Sequence, residues 1–336
     1  NTEGPSLVIA GAGSGKTRVL TYRIAQLLSQ GVPAYKILAL TFTNKAAREM
    51  QKRIAELVGQ EIAANLWMGT FHSIFSKILR FEAEKLGYTS SYTIYDTQDS
   101  KNMIKAIVKD MKLDDKIYKP STILGRISMA KNNLIVAQSY AQSSRILSED
   151  TAGKRPLLGE IYKQYQQRCK QSDTMDFDDL LLQTNILFRD FPDILAKYQQ
   201  KFNYILVDEY QDTNSIQDAI IAAVSNGHNL FMVGDVKQSI YRFRQAEPEN
   251  FLAKYQSYDG TVGKRIDLNA NFRSMTSVLN AANSLFSKIM LGDVGEIDYS
   301  DNAELRMGAE TANGSAEICL IDISDEKGEN ENEAES

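Results

Sequence analysis

Residues 10–17 read Ala10-Gly11-Ala12-Gly13-Ser14-Gly15-Lys16-Thr17, directly behind the apolar run Leu7-Val8-Ile9. A strand that feeds a Gly-rich loop and then a helix turns backbone N–H groups toward phosphate. In that pattern Lys16 reaches the outer phosphates of a nucleoside triphosphate and Thr17 ligates Mg²⁺. The strict pattern has Gly at the first position; Ala10 departs from it but is small enough to keep the turn tight. Apolar residues recur at Leu20, Ile24, Leu27 and Leu28, one face of a helix that Gly31 and Pro33 end.

A second group with the right chemistry lies far downstream. The apolar run Tyr204-Ile205-Leu206-Val207 ends in Asp208-Glu209-Tyr210-Gln211-Asp212. Ligands of open α/β sheets sit at the carboxyl ends of strands. There Asp208 would hold Mg²⁺, and Glu209 would orient and deprotonate an attacking water. A third strand pattern, Asn229 to Val233, runs through Gly234-Asp235 into Val236-Lys237-Gln238-Ser239-Ile240-Tyr241-Arg242-Phe243-Arg244. Gln238, just past a core strand, can bond the terminal phosphate and register its loss. Tyr241 and Phe243 with Arg242 and Arg244 suit a nucleic-acid strand, because bases stack on aromatic rings and Arg pairs with phosphate. Taken by themselves, the two aromatics are better accounted for by an ordinary amphipathic edge.

These residues need a scaffold, and the pattern of elements supplies one. Residues 1–96 alternate strand runs (Leu7–Ala10, Ile37–Thr41, Leu66–Met68, Tyr92–Tyr95) with helical periods at about 15–29, 44–58 and 71–86. Such alternation predicts a parallel α/β sheet. Residues 97–172 are polar, helical in period and poor in strand signals, and read as a helical insertion. The α/β pattern returns from 173 to 262. A further segment, 263–324, carries a strand at Arg265–Leu268, a helix at Ser277–Met290 and a strand at Glu317–Ile321. Residues 325–336 are acidic and read as a solvated linker or cut end.

Composition narrows the class. The 336 residues are 43% hydrophobic and carry a net charge of −5, so global charge gives no argument for nucleic-acid coating but leaves room for a local basic groove. Cys169 and Cys319 lie far apart and His72 and His228 are the two histidines. That excludes a disulfide framework, makes no His-based metal site, and fits a cytoplasmic setting. No signal peptide or membrane-length apolar run is present in this sequence. A first residue of Asn1 and not Met suggests a fragment or a trimmed product.

Seven runs in order carry a family resemblance: Ala10–Thr17, Thr41-Phe42-Thr43-Asn44-Lys45-Ala46-Ala47, Gly69-Thr70-Phe71-His72-Ser73, Met175-Asp176-Phe177-Asp178-Asp179-Leu180-Leu181, Asp208–Asn214, Gly234–Arg244 and Asn271-Phe272-Arg273-Ser274. Together they resemble the UvrD/PcrA/Rep-type superfamily 1 DNA helicases. From about residue 229 the wording is similar to AddA, a helicase–nuclease relative. The resemblance implies a P-loop RecA-like domain with a helical insertion and the beginning of a second RecA-like domain. It implies an ATP- and Mg²⁺-dependent motor moving 3′→5′ on single-stranded DNA, or at a duplex/single-strand junction, in repair or recombination, with partner proteins from those processes. Lys16, Asp208, Glu209 and Gln238 would be catalytic, Arg18 would lie near the nucleotide, Arg273 would be an arginine finger and Phe272 would stack on adenine. Phe42, Asn44, Thr70, His72, Tyr241, Phe243 and Arg244 would contact DNA. Phe42 and Phe71 could equally be packing residues, and His72 a satisfied loop histidine.

Family members run to about twice this length, so the chain is expected to be truncated and to unwind little or nothing alone. Two other readings stay open: a different P-loop ATPase, and a non-catalytic nucleotide- or DNA-binding fragment.

Overall fold

The computed structural model describes residues 4–239, 241–242, 245–290, 299 and 304–308. The expected strand at Glu317–Ile321 and the acidic end at 325–336 lie outside the described residues. The chain opens with β1 (Ser6–Ala10), α1 (Lys16–Ser29), β2 (Ile37–Thr41), α2 (Asn44–Val58), α3 (Gln60–Ala64), β3 (Trp67–Thr70) and α4 (Phe71–Glu82). β1 and β2 are buried along their whole length, as strands covered on both faces require. α1 buries Leu20, Ile24 and Leu27, the stripe read from the sequence. Thr43 and Thr70 cap α2 and α4, accepting from the N–H groups of Ala46 and Ser73.

The insertion comprises β4 (Thr93–Tyr95), α5 (Thr97–Asp110), α6 (Pro120–Asn132), α7 (Ala137–Gln142), α8 (Ser144–Ala152), α9 (Leu158–Gln171) and β5 (Thr174–Asp176). Its helices enclose an apolar core of their own, including Ile104, Ile107, Ile127, Tyr162 and Tyr165. β4, read as one of the alternating strands, stands apart from the main sheet and pairs in parallel with β5, Tyr95 opposite Asp176. This short ladder ties the two ends of the insertion together.

After it come α10 (Phe177–Asp190), α11 (Pro192–Lys201), β6 (Tyr204–Val207), α12 (Ser215–Val224), β7 (Leu230–Gly234), α13 (Pro248–Ser257) and β8 (Lys264–Leu268). Six parallel strands form the sheet in the order β3-β2-β6-β7-β1-β8. Alternation along the strands splits the core in two. Leu7, Leu40, Val207 and Met232 belong to one apolar layer and Val8, Ala39, Leu206 and Val233 to the other. β7 lies between β1 and β6, so the loops that leave the carboxyl ends of these three strands are neighbours. That topology is what gathers the chemistry.

The strand expected to open a second domain, Arg265–Leu268, runs along the outer side of β1, Val8 opposite Ile266. Its pairing is set by the free edge of β1, which no local pattern encodes. Its alternation of exposed Lys264, Arg265 and Asp267 with half-buried Ile266 and Leu268 is that of a protected edge strand. Residues to Leu268 form one compact unit and those from Asn269 another. The second contains β9 (Ala270–Asn271), α14 (Thr276–Ile289) and β10 (Arg306–Met307), with β9 and β10 paired in parallel.

Candidate nucleotide site and adjoining cleft

The loop after β1 is built by backbone geometry that its residue types permit. Gly13 (φ 71°) and Gly15 (φ 95°) occupy the left-handed region, where an L side chain is strained. Ser14 donates to the carbonyl of Gly11 through both its N–H (3.1 Å) and its Oγ (2.7 Å), closing the turn. Gly11 N–H donates to the Leu268 carbonyl, anchoring the loop to β8. Ala10 is wholly buried in the α1–α2 layer, which explains a small apolar residue where the strict pattern has Gly. α1 starts at Lys16 with no side-chain cap, so its first N–H groups remain for a ligand. Ala12 and Arg18 are exposed and Thr17 is half-buried, at the second position of the helix. Arg18 lies 5.4 Å from the Tyr22 ring.

Lys16 joins the three loops. Its Nζ donates to Gln238 Oε1 at 2.7 Å and lies 3.7 Å from Glu209 Oε2. Gln238 Nε2 donates to Asp235 Oδ2 (2.8 Å), whose backbone N–H donates to Gln211 Oε1 (3.0 Å). Gln211 Nε2 then donates to Glu209 Oε2 (2.8 Å), closing a ring of side chains. Gly234 is required beside this ring, because a Cβ there would stand 2.4 Å from Gln211 Oε1 and 2.8 Å from the Phe251 ring. Of these members Gln211 and Asp235 were not singled out from the sequence. Both are buried polar residues at strand ends, a signal that only burial reveals.

Two further carboxylates, Asp208 and Asp212, flank Glu209 in the chain. Glu209 is held in the left-handed region (φ 47°), a strained position for a non-glycine residue. Burial, with the charge of Glu209 beside it, pushes the Asp208 carboxyl up to about 7. Asp208 accepts from the Glu209 N–H at 3.1 Å. Burial and Glu209 likewise raise Asp212 to about 7. Among the described residues no cluster of three or more His, Cys, Asp or Glu forms a metal cage. A hard divalent ion that brings phosphate and water ligands of its own fits such a sparse donor set.

Beside the ring lies a cleft of about 330 Å³ lined by Phe42, His72, Asp212, Tyr241 and Gln245. Three of the seven residues expected to touch DNA thus face one space. Phe42 rests on the buried ring of Phe71, centroids 5.4 Å apart, so it packs and lines the cleft at once. Burial lowers the His72 imidazole to about 4, leaving it neutral near pH 7. Its ring lies 4.9 Å from that of Phe177, which is 58% exposed. Phe177 belongs to one of the seven matching runs, yet the resemblance gives it no DNA contact. Its signal was legible: it opens a helix whose buried face runs through Leu180 and Leu181. Asn44 is exposed at the start of α2 and Thr70 serves as a helix cap; neither is among the described residues lining the cleft. Phe243 and Arg244 lie outside the described residues.

In the second unit, Asn271 Oδ1 accepts from the N–H groups of Arg273 and Ser274, both at 2.8 Å. Phe272 is 61% exposed, and a Cβ on Gly308 would meet its ring at 2.6 Å.

Residues 1–259 match the family model described as UvrD/REP helicase N-terminal domain. A protein named ATP-dependent DNA helicase PcrA from Leuconostoc citreum is 44% identical over 288 residues, covering 85% of this chain and 37% of its own length. The protein of the same name from Staphylococcus epidermidis is 44% identical over 286 residues, 84% of this chain and 38% of its own. The chain therefore spans well under half the length of these curated relatives. No helix among the described residues is long and apolar enough to cross a membrane. With the family model matched over most of the sequence, and with loop, carboxylates and glutamine gathered at the carboxyl ends of neighbouring strands, the chain belongs to the UvrD/REP helicase N-terminal domain family.

Proposed function

We propose that this chain is the nucleotide-driven part of a DNA helicase or translocase, coupling Mg·ATP hydrolysis to movement on single-stranded DNA. The observation that carries the reading is Lys16, bonded to Gln238 and facing Glu209, in a ring that adjoins the aromatic cleft. The backbone of residues 11–15 and the first turn of α1 would cradle the triphosphate. Thr17 and Asp208 would hold Mg²⁺, and Glu209 would take the proton of the attacking water. A bound Mg²⁺ supplies charge neutralisation across the phosphates. Gln238 would exchange its bond to Lys16 for one to the terminal phosphate. Arg273 would neutralise transition-state charge as an arginine finger, Phe272 would stack on adenine, and Arg18 would lie near the nucleotide. Phe42, His72 and Tyr241, joined by Phe177 and by Phe243 and Arg244, would hold a single strand or a duplex/single-strand junction. Movement 3′→5′ and work in repair or recombination, with partner proteins there, follow from family resemblance.

The test is the ATP hydrolysis rate with and without single-stranded DNA for the chain and for Lys16→Ala, Glu209→Gln and Arg273→Ala. Stimulation by DNA that disappears in all three is the expected result. DNA-independent turnover would instead mark a different P-loop ATPase. Binding of both ligands without turnover would mark a non-catalytic fragment.

A further inference from the structure

Gln211 stands where the nucleotide ring meets the cleft. It is buried, and both ends of its amide are used. Oε1 fixes the Asp235 N–H at the start of the loop that carries Gln238. Nε2 holds Glu209 Oε2 at 2.8 Å and faces Asp212 Oδ2 at 3.5 Å. Its backbone carbonyl accepts from Ser239 Oγ (3.3 Å), on the segment leading to Tyr241. A side chain with both a donor and an acceptor is needed here; Glu in its place would leave one bond unmade and Met both.

The next residue faces the cleft. Asp212 is 9% exposed, and among the described residues its Oδ1 is buried without a hydrogen-bond partner. Gln245 Oε1, in the same cleft, is also buried without one. Two orphaned acceptors are costly unless an occupant brings donors. A backbone phosphodiester, an acceptor only, brings none. The edge of a nucleobase, with its amino or imino N–H groups, supplies them, while its face meets the aromatic rings of the same cleft.

We infer that Gln211 is a positioning residue that links a base seated against Asp212 to the geometry of Glu209 and the Gln238 loop, so that strand and nucleotide binding are coupled. The inference rests on the functional reading above. A base that engages Asp212 shifts the residue joined to it in the chain, and the Gln211 amide passes the shift to Glu209 and to Asp235. Asp235 holds Gln238, which holds Lys16. Coupling of this kind is reciprocal, so it can be read from either ligand.

The experiment is the affinity of the chain for a fluorescent mixed-sequence 12-nucleotide single strand, by anisotropy, with and without saturating Mg²⁺ and a non-hydrolysable ATP analogue. The ratio of the two dissociation constants is internal to each sample, so a misfolded fraction cancels. The wild-type ratio is expected to differ from one by at least about fivefold. Gln211→Met should bring it to within about twofold of one while each ligand alone still binds. Asp212→Leu should do the same from the cleft side, and Asp212→Asn, which keeps an acceptor, should retain the ratio. These last two decide the matter if Gln211→Met does not fold. A wild-type ratio of one, or a wild-type ratio that survives both Gln211→Met and Asp212→Leu, overturns the inference alone. Failure of the wild type to bind either ligand overturns the functional reading and the inference with it.

Discussion

Lys131→Met is expected to destabilise the first unit by about 3–5 kcal/mol, the cost of breaking a buried ion cluster by removing one partner. Lys131 lies in the last turn of α6 with its ammonium wholly buried, 2.7 Å from Asp176 Oδ2 and 2.8 Å from Asp179 Oδ1. Tyr165 Oη donates to Asp176 Oδ2 at 2.8 Å. Burial works against the charge of Asp176, but Lys131 and these bonds outweigh it and hold that carboxyl below its ordinary value. Burial, with Asp176 beside it, pushes Asp179 up to about 6. The cluster sits at the first turn of α10, where Asp176 is the cap, so it fastens the insertion to the sheet domain. Met fills the volume but supplies no charge. Both carboxyls would then titrate above their unfolded values. A raised carboxyl contributes stability that is complete below its unfolded pKa and lost as pH rises through the folded one. The deficit against wild type should therefore be larger at about pH 8 than at about pH 5. Denaturant unfolding at the two pH values checks this; a deficit independent of pH would mean that packing, and not charge, is what Lys131 contributes.

Glu209→Gln is expected to lower ATP turnover by about 10²–10⁴-fold, the range for loss of a general base. The replacement keeps the shape of the side chain and an oxygen that can accept from Gln211 Nε2. Lys16 would lose a charged neighbour at 3.7 Å but keep its bond to Gln238. Affinities for Mg·ATP and for single-stranded DNA should therefore stay within a few fold, which separates chemistry from binding. Single-turnover hydrolysis beside equilibrium binding is the check. Turnover within about threefold of wild type would remove Glu209 from the role of base.

How much of this could be read from the sequence depended on how local its cause was. The strands Ile37–Thr41 and Tyr204–Val207 have the bounds read from their apolar runs, because strands buried on both faces need little beyond hydrophobicity. The helix from Asn44 to Val58 was legible from its period, and the structure adds its Thr43 cap and its stop at Gly59. β5 escaped because three residues cannot show a period, and α7 and α8 because they are short and largely polar. The loop at 10–17, the carboxylates and Gln238 were visible as motifs. The ring that unites them was not: the Lys16–Gln238 bond spans 222 positions and depends on β7 lying beside β1. Gln211, between Tyr210 and Asp212, carries no local signal of its own, because its partners Gly234 and Asp235 lie at the end of another strand. The DNA candidates divide by the same logic, since Thr70 spends its hydroxyl on capping α4 while Phe42 and His72 turn to the cleft.

Calorimetric titration of Mg·ATP into the wild-type chain and into Lys16→Ala tests most directly the claim that the loop after β1 is a triphosphate site organised by Lys16. Saturable, Mg²⁺-dependent binding by the wild type, weakened by at least about tenfold in the variant, is the expected result. Equal affinity in the two proteins, or none in the wild type, would contradict it.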